Sequence, residues 1–275
     1  MLHLKGKPVA EHVFSGLKAQ LQKTEVRPHL AVILVGEDPA SQVYVGHKQK
    51  ACKELGFKST LIKLNADVTE EKLTNTIREL NADQSVNGIL LQLPLPQHLD
   101  AKKMTNLISP DKDADSLTYA SLGRLAAGQQ ISSSCTPAGI IEILKHYKID
   151  VSGKNVLVIG RSLIVGIPMF HLLTQKHATV TMAHSKTENL LDLVKKFDYV
   201  VVAVGKPHFI KASDFKKNAV VIDVGIHRTE EALVGDVNPE GAEENLQALT
   251  PVPGGVGPMT IAMLMQNTYN LTFKK

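Results

Sequence analysis

The chain has no tryptophan, and Phe and Tyr together make up only 4 % of its 275 residues. Its 31 Lys and Arg stand against 27 Asp and Glu, a net charge of +4, and the lysines are spread along the chain. With neither a basic stripe nor regularly spaced aromatics, no nucleic-acid-binding signature is present. The two cysteines, Cys52 and Cys135, are too few for a disulfide scaffold or a zinc site of their own. No histidine pair has metal-ligand spacing, and no metal is assigned. No apolar run approaches the roughly 20 residues of a membrane span. The opening MLHLKGKPVAEHVF lacks the apolar core of a signal peptide. These absences predict a soluble, cytoplasmic protein with neither a membrane nor a nucleic-acid partner. The 43 % of hydrophobic residues suffices for a real core, and the length fits one large or two ordinary domains.

Strand-length apolar runs alternate with segments of helical period. Strands are predicted at 29–36, 58–64 and 86–93, with helices at 40–55, 69–81 and 98–107. The rhythm breaks between Ser109 and Ser134, where charges, glycines and a serine run intervene. Pro137 then opens a helix to about Tyr147. Strands follow at 155–159, 178–183, 199–204 and 219–224, with helices at 165–175 and 188–196. A Met-rich helix closes the chain from Pro258 to about Leu271. Such alternation predicts an α/β fold of two domains joined near residue 120, each a mainly parallel sheet flanked by helices, with a cleft between them. Met104, Met259, Met263 and Met265 read as core filler.

Chemistry-bearing residues fall in both halves. In VLVIGRSLIVGIP a strand ends at Gly160 and a helix begins near Val165, with a second glycine at 166. That turn suits a phosphate at a helix N-terminus. Ser162 stands where the G-x-G-x-x-G fingerprint has its second glycine, so the glycines alone divide evenly between a dinucleotide site and a plain tight turn. Arg161 favours the site, because a guanidinium holds phosphate bidentately. One strand later come His184 and Ser185, with no acidic residue to take the ribose hydroxyl of NAD. This leans toward the 2′-phosphate of NADP. In the first half, Tyr44 and Lys48 share one helix face. Spacing by itself favours a solvated lysine beside a half-buried tyrosine. Gln92 interrupts an apolar strand and is either a structural bridge or a site residue. Asp113 and Asp115 lie on the following loop, where a carboxylate is usually solvated or forms an Asx-turn. The residues alone thus point to a two-domain α/β enzyme, a pyridine-nucleotide dehydrogenase of undefined substrate.

The same segments resemble one family along nearly the whole chain. They are DPASQVYVGHKQKACKELG, GILLQLPLP, SPDKDAD, CTPAGIIEIL, VIGRSLIVGIPM, ATVTMAHSKT, VIDVGI and TPVPGGVGPMTIAML. The family is the bifunctional methylenetetrahydrofolate dehydrogenase/methenyltetrahydrofolate cyclohydrolases of one-carbon metabolism, whose product serves purine biosynthesis. The resemblance implies a catalytic folate domain over 1–120, joined by the closing helix 258–275, and a Rossmann-like NADP-binding domain over 121–257. It implies that Tyr44, Lys48, Gln92 and Asp115 line the folate site, with Lys48 moving protons. Pro253, Gly254 and Gly255 are implied as further substrate contacts. Gly160, Arg161, Ser162, Val165, Gly166, His184, Ser185, Ile226 and Thr260 are implied as cofactor contacts. Members are generally homodimers through the nucleotide-binding domain.

Three departures stand out. Many members have Gly where this chain has Ser116, Asn where it has His227, and Cys where it has Ala183. If position 116 needs a positive φ, serine strains the loop that carries Asp115. Three rivals to the bifunctional reading are a dehydrogenase that has lost the hydrolase, which should lack Lys48, a non-catalytic folate- or nucleotide-binding module, which should lack the cleft residues, and a related α/β amino-acid dehydrogenase, which should have a different lysine context and a G-x-G-x-x-G turn.

Overall fold

The computed structural model describes residues 1–230 and 232–274, so Lys275, the last residue of the expected 258–275 segment, lies outside the described residues. The chain forms two compact units, Met1–His12 with Thr136–Thr260, and Val13–Cys135 with Ile261–Lys275. The divisions fall after His12, Cys135 and Thr260, whereas the apolar rhythm puts the junction near residue 120.

The chain opens with β1 (Leu2–His3) and α1 (Gly6–Leu21), a helix absent from the sequence reading. Pro8 and Gly16 look like breakers there. Pro8 occupies the first turn, where its missing N–H costs nothing, and Gly16 faces open space.

The two units are nearly equal in length and differ in their sheets. The one with the smaller sheet, the smaller unit in that sense, is built on three parallel strands, β2 (His29–Val35), β3 (Lys58–Leu64) and β4 (Gly88–Leu91), ordered β3-β2-β4. All of β2 after His29 is buried, the pattern of a strand covered on both faces. Its crossovers are α2 (Pro39–Leu55) and α3 (Glu70–Ala82). Asp38 caps α2 by accepting from Ser41 N, with Pro39 at the first position, and Gly56 ends it at φ +70°. Ile33, Ile77, Ile89 and Met104 form the centre of the core. The expected helix 98–107 shrinks to α4 (Ala101–Thr105), because Asp100 accepts from Lys102 N and Lys103 N and starts the helix there. A further helix, α5 (Tyr119–Ala126), capped by Thr118, lies in the stretch where the rhythm breaks.

The unit with the larger sheet, the larger unit in that sense, carries α6 (Cys135–His146), β5 (Asn155–Ile159), α7 (Gly166–Gln175), β6 (Thr179–Ala183), α8 (Leu190–Val194) and β7 (Tyr199–Val202). Helix α6 starts two residues ahead of Pro137, and α8 is shorter than the predicted 188–196. Next come β8 (Ile210–Lys211), β9 (Ala219–Asp223), β10 (His227–Arg228), β11 (Leu233–Val234), β12 (Val237–Asn238), α9 (Ala242–Asn245) and β13 (Leu246–Leu249). Helix α10 (Gly257–Phe273) closes the chain. The strand β13 also escapes the sequence reading, being only four residues long.

Six parallel strands run β1-β13-β9-β7-β5-β6. Counted from β5 in chain order, β6-β5-β7-β9-β13 is the doubly wound order 2-1-3-4-5, which reverses between β5 and β7. Ligands of such sheets bind beyond the carboxyl ends of the strands at that reversal. Leu157, Val200 and Val221 on the central strands are buried in its core. No helix among the described residues is long and apolar enough to cross a membrane.

Candidate active site

In the smaller unit, α2 presents Tyr44 and Lys48 one turn apart. Tyr44 is exposed, but Lys48 is only 8 % exposed, so it is not the solvated lysine that spacing alone favours. Lys48 Nζ donates to Gln92 Oε1 at 2.8 Å. Gln92 follows β4, and its backbone N–H continues the ladder to Ile33 O at 2.9 Å. Its Nε2 donates to Leu93 O at 2.7 Å, which turns the amide oxygen toward the lysine. Burial pushes the Lys48 pKa below the ordinary lysine value, and the nearby Asp115 carboxylate opposes that shift. A lysine whose pKa is lowered gives up its proton more readily than a solvated one.

Asp115 leaves the sheet on a loop braced from several sides. Asp113 is 1 % exposed and accepts from Leu117 N at 3.2 Å, Thr118 N at 2.8 Å and Ser121 Oγ at 2.7 Å. It is therefore a buried brace rather than a solvated loop carboxylate, and burial raises its pKa. Its carboxylate takes backbone N–H groups four and five residues on, not two, so it does not form the Asx-turn considered for it. Cys135 is buried close by, and burial together with Asp115 holds its thiol protonated, far above the ordinary value. Asn267 on α10, 2 % exposed, donates to Ala114 O at 2.9 Å and to Ser133 O at 2.8 Å. Neither Cys135 nor Asn267 could be picked out from sequence, because nothing in their spacing ties them to the loop. Ser116 has φ +54°, so the strain considered for that position is present.

In the larger unit, Gly160 ends β5 with φ +126°, and a Cβ there would overlap the Ala203 carbonyl oxygen beyond β7. A Cβ on Gly166 would in turn overlap the Gly160 carbonyl oxygen. Both positions therefore require glycine, one for its φ and close approach, the other for close approach alone. Between them Arg161 and Ser162 are exposed. Ser162 Oγ accepts from Val165 N at 3.1 Å and Gly166 N at 3.4 Å, so serine caps α7 where the usual fingerprint has glycine. The backbone thus approaches closely at the sheet reversal, a helix N-terminus faces it and an exposed guanidinium lies beside it. These features fit a dinucleotide phosphate. His184 and Ser185 follow β6 in a turn in which His184 N donates to Thr187 Oγ1 at 2.9 Å. Thr260 pairs with Thr136 through their hydroxyls at 3.0 Å, and Gly254 O accepts from Gly6 N at 2.9 Å.

Ile226 is exposed at the end of the loop after β9, next to a carboxylate cluster that sequence reasoning missed. Asp236, fully buried, accepts from Val204 N at 2.7 Å, Gly205 N at 3.0 Å, Lys206 N at 2.9 Å and His227 Nε2 at 2.7 Å. Asp223 accepts from Gly225 N, Asp236 N and Val237 N, each at 2.9 Å. Burial outweighs those three bonds and raises its pKa to about 6.

Lys48, Gln92 and Asp115 thus share the smaller unit with Tyr44. Pro253, Gly254, Gly255 and all the implied cofactor residues lie in the larger one. A doubly wound nucleotide-binding sheet and a buried lysine–amide pair on a second α/β unit define a nucleotide-dependent enzyme. The model for the tetrahydrofolate dehydrogenase/cyclohydrolase catalytic domain matches residues 4–115, and that for the family's NAD(P)-binding domain matches 134–275. The chain belongs to the tetrahydrofolate dehydrogenase/cyclohydrolase family. It is 50 % identical to the bifunctional protein FolD of Bdellovibrio bacteriovorus, over 98 % of this chain and 96 % of that one. Among solved structures, FolD methylenetetrahydrofolate dehydrogenase/cyclohydrolase from Campylobacter jejuni superposes with a TM-score of 0.95, at 41 % identity and full coverage of both chains. The Trypanosoma brucei enzyme, complexed with NADP and an inhibitor, gives 0.93 at 34 % identity, over 100 % of this chain and 98 % of that one.

Proposed function

We infer that the chain oxidises 5,10-methylenetetrahydrofolate with NADP and hydrolyses the resulting 5,10-methenyltetrahydrofolate to 10-formyltetrahydrofolate. The observation that carries the second step is the buried Lys48 held by Gln92 at 2.8 Å. We assign folate to the smaller unit and NADP to the larger.

NADP, when bound, takes the hydride that leaves the methylene bridge. Gly160 and Gly166 let the chain approach its phosphates, the N-terminus of α7 meets their charge, and Arg161 takes the 2′-phosphate. Val165, His184, Ser185, Ile226 and Thr260 complete the contacts. The chain's task in this step is to hold the two reacting carbons close.

Hydrolysis needs proton transfer. Lys48, neutral, removes a proton from the water that attacks the methenyl carbon. The carbon–N5 bond then breaks as N5 gains a proton and the carbinol oxygen loses one, leaving the formyl group on N10. Gln92 orients Lys48 without adding a charge that would keep it protonated. Asp115 accepts hydrogen bonds from the aminopyrimidine end of the pterin. Tyr44 and the Pro253–Gly255 turn orient the rest of the folate. In this reading the chain works as a cytoplasmic homodimer, paired through its nucleotide-binding unit as members of the family generally are.

The test is absorbance during incubation of the purified protein with methylenetetrahydrofolate and NADP. Reduced cofactor should form while the methenyl chromophore stays low. Persistent methenyl accumulation means a dehydrogenase without effective hydrolase, and no reduced cofactor overturns the reading.

A further inference from the structure

Ser116 is a non-glycine residue at φ +54°, only 4 % exposed and adjacent to Asp115. An L-residue in that region is strained, so the surroundings must hold it there. Three serines do so. Ser116 Oγ donates to Ser132 Oγ at 2.5 Å, and Ser132 Oγ donates onward to Asp113 O at 3.2 Å. Ser134 Oγ donates to Ser116 O at 3.2 Å. Ser132 and Ser134 are 6 % and 1 % exposed, so each hydroxyl has exchanged water for these partners. The bonds grip the residues on both sides of Asp115, at 113 and at 116, and tie them to the segment 132–134. Asn267 fastens that segment to the same loop through Ser133 O and Ala114 O.

We propose that the Ser116–Ser132–Ser134 hydroxyl network is a positioning device that sets the Asp115 carboxylate for the folate. The proposal rests on the reading of Asp115 as the pterin acceptor. Ser116 and Ser132 act as a matched pair. Without the Ser132 hydroxyl, Ser116 keeps its strained backbone and its buried hydroxyl loses its acceptor. With glycine at 116, the backbone adopts φ +54° freely and leaves no hydroxyl to satisfy. Removing both therefore does less harm than removing Ser132 alone.

The experiment compares wild type, Ser132→Ala, Ser116→Ala, the double variant Ser116→Gly with Ser132→Ala, and Asp115→Asn. The readouts are KM for methylenetetrahydrofolate, KM for NADP and the melting temperature. Ser132→Ala and Ser116→Ala should each raise the folate KM about tenfold at an unchanged NADP KM. The double variant should return the folate KM toward wild type. Asp115→Asn raising the folate KM while both single serine variants keep the wild-type value overturns the proposal, even if they melt lower. A double variant no better than Ser132→Ala overturns it equally. Asp115→Asn at wild-type KM removes the Asp115 reading, and the proposal with it. Should Ser132→Ala fail to fold, Ser116→Ala against the double variant decides the question.

Discussion

Lys48 Nζ and Gln92 Oε1 lie 2.8 Å apart, and the lysine is buried beside a neutral partner rather than a carboxylate. This pairing leaves the ammonium form weakly supported. The amide orients the nitrogen, while burial disfavours its charge, with Asp115 and then Cys135 countering the effect. A carboxylate in place of Gln92 would give the same geometry and the opposite electrostatics.

Gln92→Glu therefore tests the electrostatics directly. A carboxylate against Nζ favours the ammonium form, so the alkaline rise in methenyl hydrolysis should move to higher pH, and hydrolysis near neutrality should fall. A profile that coincides with wild type would show that the charge on residue 92 does not govern Lys48.

Arg161 is exposed at the turn between Gly160 and α7. Arg161→Ala should weaken NADP roughly 10- to 100-fold, the loss of a charged hydrogen bond, and NAD far less. Titrating both cofactors by fluorescence or by KM measures this. Equal losses would place the 2′-phosphate elsewhere.

Asp223 predicts a pH dependence of stability. Its pKa is raised from 3.8 to about 6 in the folded chain, so the folded state holds the proton more tightly than the unfolded one. Its stabilising contribution is present below the unfolded value and is lost as pH rises through about 6. Asp223→Asn removes the titration. The unfolding free energy of wild type minus that of Asp223→Asn should fall by roughly 2–3 kcal/mol between pH 4 and pH 7, and then stay level. Urea melts at several pH values measure the difference, and one independent of pH would contradict the assignment.

Much of this fold is legible in the sequence because buried parallel strands leave continuous apolar runs. The segments 29–36 and 155–159 contain the observed β2 and β5. Elements without such a signature are not legible. Helix α1 hides behind Pro8 and Gly16, α5 sits among charges and glycines, and β13 is too short to stand out. The candidate site divides along similar lines. Gln92 is visible because a polar residue interrupts an apolar strand. The burial of Lys48 is not visible, because spacing shows only which helix face a residue takes, and its neighbours come from another strand and loop. His227 is noticeable as a departure from the family, yet its bond to Asp236 joins segments whose meeting only the folded backbone defines. At position 116 the family pattern raises the question of a positive φ, and only the structure reveals the serines that sustain it.

The most direct test of the account is the rate of methenyltetrahydrofolate disappearance with Lys48→Gln, measured beside the rate of NADP reduction from methylenetetrahydrofolate. Glutamine is polar and can still donate to Gln92, but it cannot take a proton from water. Hydrolysis should fall by about a hundredfold or more while NADP reduction continues, so that the methenyl compound accumulates. Wild-type hydrolysis by Lys48→Gln would contradict the role given to Lys48 and with it the mechanism.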